Sequence, residues 1–155
     1  MAILLWSKKS SMKNTSKDSV REIRRQDIVD CFYKSLKEMR KTRPFATLNE
    51  VIEHATKSSA PRFYVTFENA RRFVSLLLRG KKLPITNKNK VAMYKEICRR
   101  YKSKVKNVNE RYKYIILESI IEEPAPSFYI DKETFRGIVY TTLRSRRNEQ
   151  DKARA

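Results

Sequence analysis

Two stretches of the sequence, Ser59-Ala60-Pro61-Arg62-Phe63-Tyr64-Val65 and Pro124-Ala125-Pro126-Ser127-Phe128-Tyr129-Ile130, lie 65 residues apart and match each other. The match continues on both sides without a gap, giving ten identities over the 27 aligned positions from Glu53 to Arg79. Self-similarity at a fixed offset indicates an internal duplication, so both halves of the chain are expected to fold in the same way.

Apolar residues recur at three- and four-residue steps in both halves, which predicts three amphipathic helices in each. Thr47 with Glu50 is typical of an N-terminal capping box, and Thr66 and Asp131 are predicted to cap the third helix of each half. Gly80 is predicted to end the third helix of the first half. The predicted helical stripes are Ile28/Cys31/Phe32/Leu36/Met39, Leu48/Val51/Ile52/Ala55, Ala70/Phe73/Val74/Leu77/Leu78, Val91/Tyr94/Cys98/Tyr101/Val105, Ile116/Leu117/Ile120/Ile121 and Phe135/Ile138/Val139/Thr142/Leu143.

The whole chain is predicted to be all-α, because its two glycines, Gly80 and Gly137, cannot supply the tight turns of an all-β fold. We expect two tandem tri-helical, helix-turn-helix-like repeats packed as one unit, at residues 20–80 and 91–146, joined by a basic linker at 81–90. Residues 1–19 are interpreted as a flexible basic leader and residues 147–155 as a flexible tail.

The duplicated Ala-Pro-x-Phe-Tyr segment allows two conformations. Proline is favoured in the first turn of a helix, which predicts a short helix holding Arg62, Phe63 and Tyr64. Residues before proline avoid the α region, which predicts an extended corner instead. Phe63 and Phe128 are interpreted as core residues. For Tyr64 and Tyr129 the sequence leaves open whether the side chain packs in the core or contacts a ligand.

The stretches from Ala60 to Ala70 and from Ala125 to Phe135 resemble the recognition segment of TetR-type repressors. In that family a short recognition helix carries an aromatic pair and is followed closely by a capped helix. The glycine usual in the turn and the large ligand-binding domain of that family are absent here. The chain as a whole is similar to small basic uncharacterised proteins of bacterial mobile elements and phages, a resemblance that implies no established activity.

The strongest compositional signal is charge, since 36 lysines and arginines stand against 17 acidic residues, a formal net charge of +19. Self-repulsion of this size indicates a polyanionic partner. We expect a nucleic acid, with duplex DNA favoured over RNA. RNA or ribosome association is one alternative, and a phage or mobile-element scaffold protein that binds a protein partner through the Ala-Pro-x-Phe-Tyr segments is another.

The candidate nucleic-acid-binding residues fall into three groups. The third helices carry repeat-equivalent arginines suited to bidentate phosphate or guanine contacts. The first helix of the second half is expected to follow the phosphate backbone, and the corner segments are expected to reach a groove. On the third helices the candidates are Arg71, Arg72, Arg79, Arg136 and Arg144. On the first helix of the second half they are Lys95, Arg99 and Arg100, and in the corner segments they are Arg62, Tyr64 and Tyr129.

Enzymatic activity is not expected from this sequence. The only histidine, His54, has no nucleophile or carboxylate at a catalytic spacing. Two isolated glycines exclude a Gly-rich phosphate loop, and the acidic residues lack metal-binding spacing, so no cofactor and no metal are expected. Cys31 and Cys98 are interpreted as buried, reduced thiols of a cytoplasmic protein, and the apolar run 2–6 is too short for a membrane span. The sequence leaves the oligomeric state open.

Overall fold

The computed structural model describes residues 17–154, and within this range it is all-helical, as predicted. Six α-helices and one short 3₁₀ helix are present, and these residues form no β-strand. The helices are α1 (Lys17–Thr42), α2 (Leu48–Thr56), α3 (Phe67–Leu78), α4 (Lys88–Lys104), α5 (Lys113–Ile121) and α6 (Lys132–Arg154), with the 3₁₀ helix at Glu110–Tyr112 before α5.

Three predicted N-caps are confirmed. Thr47 Oγ1 accepts the Glu50 backbone N–H at 3.2 Å, and a Glu50 carboxylate oxygen accepts the Thr47 N–H at 3.2 Å, which completes a capping box. Thr66 Oγ1 accepts the N–H three residues further on at 3.2 Å. Asp131 does the same at 2.7 Å, and these hydrogen bonds lower its pKa. The starts of α2, α3 and α6 are therefore each encoded locally by one capping side chain, whereas α5 begins without a side-chain cap.

The predicted C-cap at Gly80 is confirmed as well. Gly80 has a φ of 70°, in the left-handed region, and its N–H donates to Leu77 O at 3.0 Å. The N–H of Lys81 donates to Leu76 O at 3.0 Å. These two bonds form a Schellman motif, which ends α3.

The helices fall into two compact units. One unit comprises residues 17–21 and 61–125, and we call it the inner unit because it is formed mainly by the middle of the sequence. It contains α3, α4, the 3₁₀ helix and α5, and each of the three α-helices packs on the other two. Phe73 of α3 meets Tyr94 of α4 with ring centroids 4.5 Å apart. Ile97 and Ile120 are fully buried in this unit.

The outer unit comprises residues 22–60 and 126–155, which hold most of α1 with α2 and α6. Helices α2 and α6 pack together. Cys31 Sγ of α1 lies 3.7 Å from the Ala55 carbonyl oxygen of α2, and Arg146 of α6 donates to Gln26 of α1 at 3.1 Å. The fully buried large side chains of the outer unit are Ile28, Val29, Phe32, Val51, Ile52, Phe135 and Val139.

The boundaries between the units coincide with the duplicated motif. They fall between Ala60 and Pro61 and between Ala125 and Pro126, which are equivalent positions of the two repeats. Each unit therefore combines the first two helices of one repeat with the third helix of the other. The two units defined by contacts therefore differ from the two sequence repeats predicted at 20–80 and 91–146, each of which contains its own third helix.

The motif itself is not helical, since no helix lies between Thr56 and Phe67 or between Ile121 and Lys132. The short recognition helix, one of the two conformations that the sequence allowed, is therefore not formed. The chain bends at 61–62 and at 126–127. The Phe63 N–H instead donates to Ile121 O at 3.0 Å, at the end of α5.

Two predicted segment boundaries need correction. Residues 147–154, predicted as a flexible tail, continue α6 to Arg154, because the stretch contains neither glycine nor proline to end the helix. Helix α4 already begins at Lys88, inside the predicted linker, because Asn87 accepts the N–H groups of Asn89 and Lys90 and so caps the helix. The predicted leader 1–19 lies outside the described residues, apart from 17–19, which belong to α1.

Candidate nucleic-acid interface

The exposed face of α3 forms one wall of a cleft of about 880 Å³ in the inner unit. Three of the predicted binding residues, Arg71, Arg72 and Arg79, line it together. The opposite wall comes from the second repeat, through the end of α4, the 3₁₀ helix and α5. Its side chains are Tyr101, Glu110, Lys113, Tyr114 and Leu117.

The three arginines of this cleft, which we call the α3 cleft, differ in their contacts. Arg71 pairs with Glu68 at 3.0 Å, and this hydrogen bond raises the pKa of Arg71. The Arg72 guanidinium carbon lies 5.1 Å from the Phe73 ring centroid, and Arg79 Nε donates to Ser75 O at 3.3 Å. Within residues 17–154 neither Arg72 nor Arg79 forms an ion pair with a carboxylate. Both side chains are exposed and present their charge to solvent.

The opposite wall of the α3 cleft adds one cation and two tyrosines that the sequence analysis missed. Lys113 Nζ lies 2.6 Å from a Glu110 carboxylate oxygen, which raises the pKa of Lys113. Tyr114 is 56% exposed, and its ring centroid lies 6.2 Å from that of Phe67. Burial raises the pKa of the half-buried Tyr101, so its phenol stays protonated at neutral pH. The alternation of basic and aromatic residues over 111–114 was the signal that could have found this wall.

A second group of cations follows one side of α4. Lys95, Arg99, Lys102 and Lys106 line a shallow groove of about 520 Å³, whose remaining lining residues are Leu77, Cys98 and Ser103. Lys95, Arg99 and Lys102 are spaced at helical intervals on α4, and Lys106 follows just after the end of that helix. All four are exposed along the same groove, and we call them the α4 stripe. Two of them, Lys95 and Arg99, were predicted binding residues.

Arg100, the third predicted residue of α4, is engaged inside the inner unit. Its Nε lies 3.0 Å from Glu96, and its Nη1 donates to Glu123 at 3.3 Å and to Pro124 O at 2.9 Å. The guanidinium carbon stands 5.0 Å from the Phe63 ring centroid, and the side chain is only 19% exposed. Arg100 therefore fastens the end of α5 and the Phe63 corner to α4 and is not part of the α4 stripe.

Glu96, also on α4, is the carboxylate that Arg99 and Arg100 share. Arg99 donates to both of its oxygens, at 3.0 and 2.7 Å, and Arg100 donates to one of them. The hydrogen bonds from Arg99 and then Arg100, against the effect of burial, lower the pKa of Glu96 to about 2. The carboxylate therefore stays charged at neutral pH and neutralises part of the local positive charge.

The corner residues do not line the α3 cleft. Arg62 is half-buried and its Nε donates to the Phe63 carbonyl oxygen at 3.2 Å. Tyr64 and Tyr129 are also half-buried, and Tyr129 has a φ of 54°, a left-handed conformation uncommon for tyrosine. Phe63 and Phe128 are 1% and 3% exposed, which confirms their interpretation as core residues.

In the outer unit, Arg136 and Arg144 occupy the repeat positions of Arg71 and Arg79. Arg136 is 29% exposed, donates to Asn49 of α2 at 2.6 Å and lies 3.6 Å from Glu133. The Glu133–Arg136 pair occupies the same repeat positions as the Glu68–Arg71 pair of α3. Arg144 is exposed on α6.

The only histidine of the sequence, His54, is exposed on α2. Among residues 17–154 no three His, Cys, Asp or Glu side chains are grouped so that they could hold a metal ion. The helices described here include none with both the length and the apolar character needed to cross a bilayer.

The inner unit thus carries a basic, tyrosine-containing cleft and a neighbouring row of cations, while Arg100 and Arg136 make structural contacts within their own units. The sequence matches no protein-family model, and no curated protein and no solved structure is significantly similar to it. What the protein does must therefore be inferred from its own side chains and their contacts.

Proposed function

We propose that this chain is a non-enzymatic nucleic-acid-binding protein that holds duplex DNA through the α3 cleft and the α4 stripe. The observation that carries the proposal is the convergence of Arg71, Arg72 and Arg79 with Lys113 in one cleft of a chain whose net charge is +19. Four cations face two carboxylates there, Glu68 and Glu110, so the cleft keeps a positive excess. Phosphate neutralisation by such residues releases counterions, which supplies affinity.

The α4 stripe supports duplex DNA in particular. Lys95, Arg99 and Lys102 are fixed on one helix and span about 10 Å of its axis. A rigid row of cations suits the regular phosphate array of a duplex backbone, along which such contacts position a protein without reading bases. Recognition by a helix at 61–64 is not part of the proposal, because that segment is not helical.

A second candidate, single-stranded nucleic acid including RNA, is favoured by the tyrosines of the α3 cleft. Tyr114 is 56% exposed beside Arg71, Arg72 and Lys113. An aromatic ring in a positively charged groove is the usual platform for unpaired bases, each of which stacks on it irrespective of sequence.

Binding to matched fluorescent duplex DNA, single-stranded DNA and duplex RNA, titrated across salt, tests the proposal. We expect duplex DNA to bind best, with a log–log salt slope that corresponds to roughly six or more released counterions. Preference for the single strand would select the second candidate. Equal, weak binding to all three that vanishes near physiological salt would contradict nucleic-acid binding and leave the protein-scaffold alternative.

A charge-matched pair of double variants locates the site. Replacing Arg72 and Arg79 with alanine removes two exposed cations of the α3 cleft and should weaken binding about tenfold or more, with the salt slope reduced by about two. Replacing Lys57 and Lys152 removes two exposed cations that line neither the cleft nor the stripe. Equal losses in both double variants would show that only net charge matters and would contradict the α3 cleft as the site.

A further inference from the structure

The turn between α1 and α2 exposes an aromatic ring. Phe45 is 95% exposed, more than any other large apolar side chain in the described range, and Leu48 three residues later is 41% exposed. A single exposed apolar residue is ordinary on a protein surface. Its significance here depends on how the turn is held and on what surrounds it.

The turn is closed by its own hydrogen bond and is connected to α1 and to α2 through contacts of Arg43. The Ala46 N–H donates to Arg43 O at 3.1 Å, which closes a four-residue turn with Pro44 at its second position and Phe45 at its third. On one side the Arg43 N–H continues α1 by donating to Met39 O at 2.7 Å. On the other side the Arg43 side chain lies 3.3 Å from Glu50, which belongs to the capping box of α2. The ring is therefore presented at the apex of a hydrogen-bonded turn, which reduces the ordering that binding requires.

The surroundings of Phe45 are positively charged. Lys37, Arg40 and Lys41 are exposed on the last two turns of α1, and Arg43 begins the turn. The equivalent position in the second repeat is Glu110, so the aromatic tip belongs to the first repeat alone. An aromatic face with cations beside it matches a polyanion that also carries planar rings, and a nucleic acid is such a polymer.

We infer that Phe45 stacks on nucleobases of a bound nucleic acid while Arg40 and Lys41 contact the flanking phosphates; this rests on the proposed function and adds a base-contacting site to it. One ring is enough for one base, whereas a specific protein interface needs about 800 Å² from each partner. The bases can come from an unpaired strand, on which Phe45 stacks, or from a duplex step, into which it inserts as a wedge.

A tryptophan at the tip reports stacking directly. The only tryptophan of the sequence is Trp6, so the double variant Trp6→Phe, Phe45→Trp carries a single reporter at the turn. We expect its fluorescence to be quenched by single-stranded or duplex DNA and to stay unchanged with long-chain polyphosphate, which has the charge but no bases. Quenching by the single strand alone identifies unpaired bases as the target. Quenching by the duplex, with bending of end-labelled DNA, identifies insertion at a base step.

Affinity measurements on variants of the full chain complete the test. Phe45→Ala should lower nucleic-acid affinity about 5- to 150-fold, the range for loss of one stacked base. The salt slope should not change, because no charge is removed. Leu48→Ala is the matched control and should leave affinity within about twofold. Both variants should keep the wild-type helical content and thermal midpoint, since both side chains are exposed.

Three outcomes would overturn the inference. One is wild-type affinity in Phe45→Ala while the parent chain binds DNA, which leaves the proposed function intact. Another is equal quenching by polyphosphate, which would show that charge alone perturbs the turn. The last is stronger binding, with a blue-shifted tryptophan, to vesicles of equal parts phosphatidylglycerol and phosphatidylcholine, which would make the tip a membrane contact. Failure of the wild-type chain to bind any nucleic acid would instead remove the proposed function itself.

Discussion

At the scale of single residues, the two units have different types of side chain at equivalent repeat positions. In the inner unit Glu96, Arg100 and Glu123 form a charged network beneath the Phe63 corner. The equivalent residues of the first repeat are Cys31, Ser35 and Ser58. Burial raises the pKa of the Cys31 thiol, and Ser35 and Ser58 hydrogen-bond to it. Uncharged groups therefore occupy in one repeat the positions that the other gives to an arginine and two carboxylates.

The first prediction concerns Arg100. Arg100→Ala should lower the free energy of unfolding by about 2 kcal/mol, because it removes the hydrogen bond to Pro124 O and one of the two cations that pair with Glu96 and with Glu123, at a site that is largely shielded from solvent. Arg99 then remains the partner of Glu96, and Lys104 remains the partner of Glu123. Arg99→Ala is the control, since Arg99 shares Glu96 but is 68% exposed, and it should cost no more than about 0.5 kcal/mol. Urea denaturation followed by circular dichroism measures both. Equal costs for the two variants would contradict a structural role for Arg100.

At the scale of helices, the ends of each element are determined by a few neighbouring residues. Thr47, Thr66 and Asp131 supply the N-caps, and Gly80 supplies the turn that ends α3. Gly137 has a different role, because it lies inside α6 with no heavy atom within 4 Å of an added Cβ. Gly80 thus has a left-handed backbone at the end of a helix, whereas Gly137 lies in the interior of a helix.

Alanine substitution at the two glycines should change stability in opposite directions. Gly80→Ala should destabilise the protein by about 1 kcal/mol, because a side chain at a φ of 70° is strained although the space around it is open. Gly137→Ala should stabilise it by about 0.5–1 kcal/mol through higher helix propensity. Thermal unfolding under identical conditions compares them. A stabilised Gly80→Ala variant would show that the left-handed C-cap is not formed.

At the scale of the whole molecule, the chain passes between units at equivalent Ala-Pro positions. Each third helix therefore depends on helices that the other repeat contributes. Phe73 of the first repeat packs on Tyr94 of the second, and Arg136 of the second repeat binds Asn49 of the first. The duplicated Ala-Pro-x-Phe-Tyr motif thus lies where the chain leaves one unit for the other.

This interleaving predicts how the chain responds to being divided. Fragments 1–83 and 84–155, cut in the loop before α4, should each lack the partners of their third helix and should not fold cooperatively as monomers. Mixed in equal amounts, they should regain the helical content of the intact chain, as measured by circular dichroism and by size-exclusion chromatography with light scattering. Cooperative folding of either fragment as a monomer would show instead that each repeat is an independent module.

The candidate site was predictable only in part, for a reason visible in particular residues. Arg71, Arg72 and Arg79 follow from the helical spacing of charge on α3. The same reasoning applied to Arg100 and Arg136 could not reveal that these two side chains reach partners 23 and 87 residues away. Tyr114 and Phe45 were missed because exposure of an aromatic side chain depends on which helices pack against it.

By itself the sequence determined the internal similarity of its two halves, the all-helical class, the caps at Thr47, Thr66, Asp131 and Gly80, and the strong positive charge. These features depend on interactions within a few residues of each other or on composition alone. Only the tertiary structure decided which third helix joins which unit. The apolar stripes of equivalent helices have the same spacing, so hydrophobic periodicity cannot tell one partner from the other. The choice follows from side-chain contacts such as that of Phe73 with Tyr94, which form only when the chain is folded.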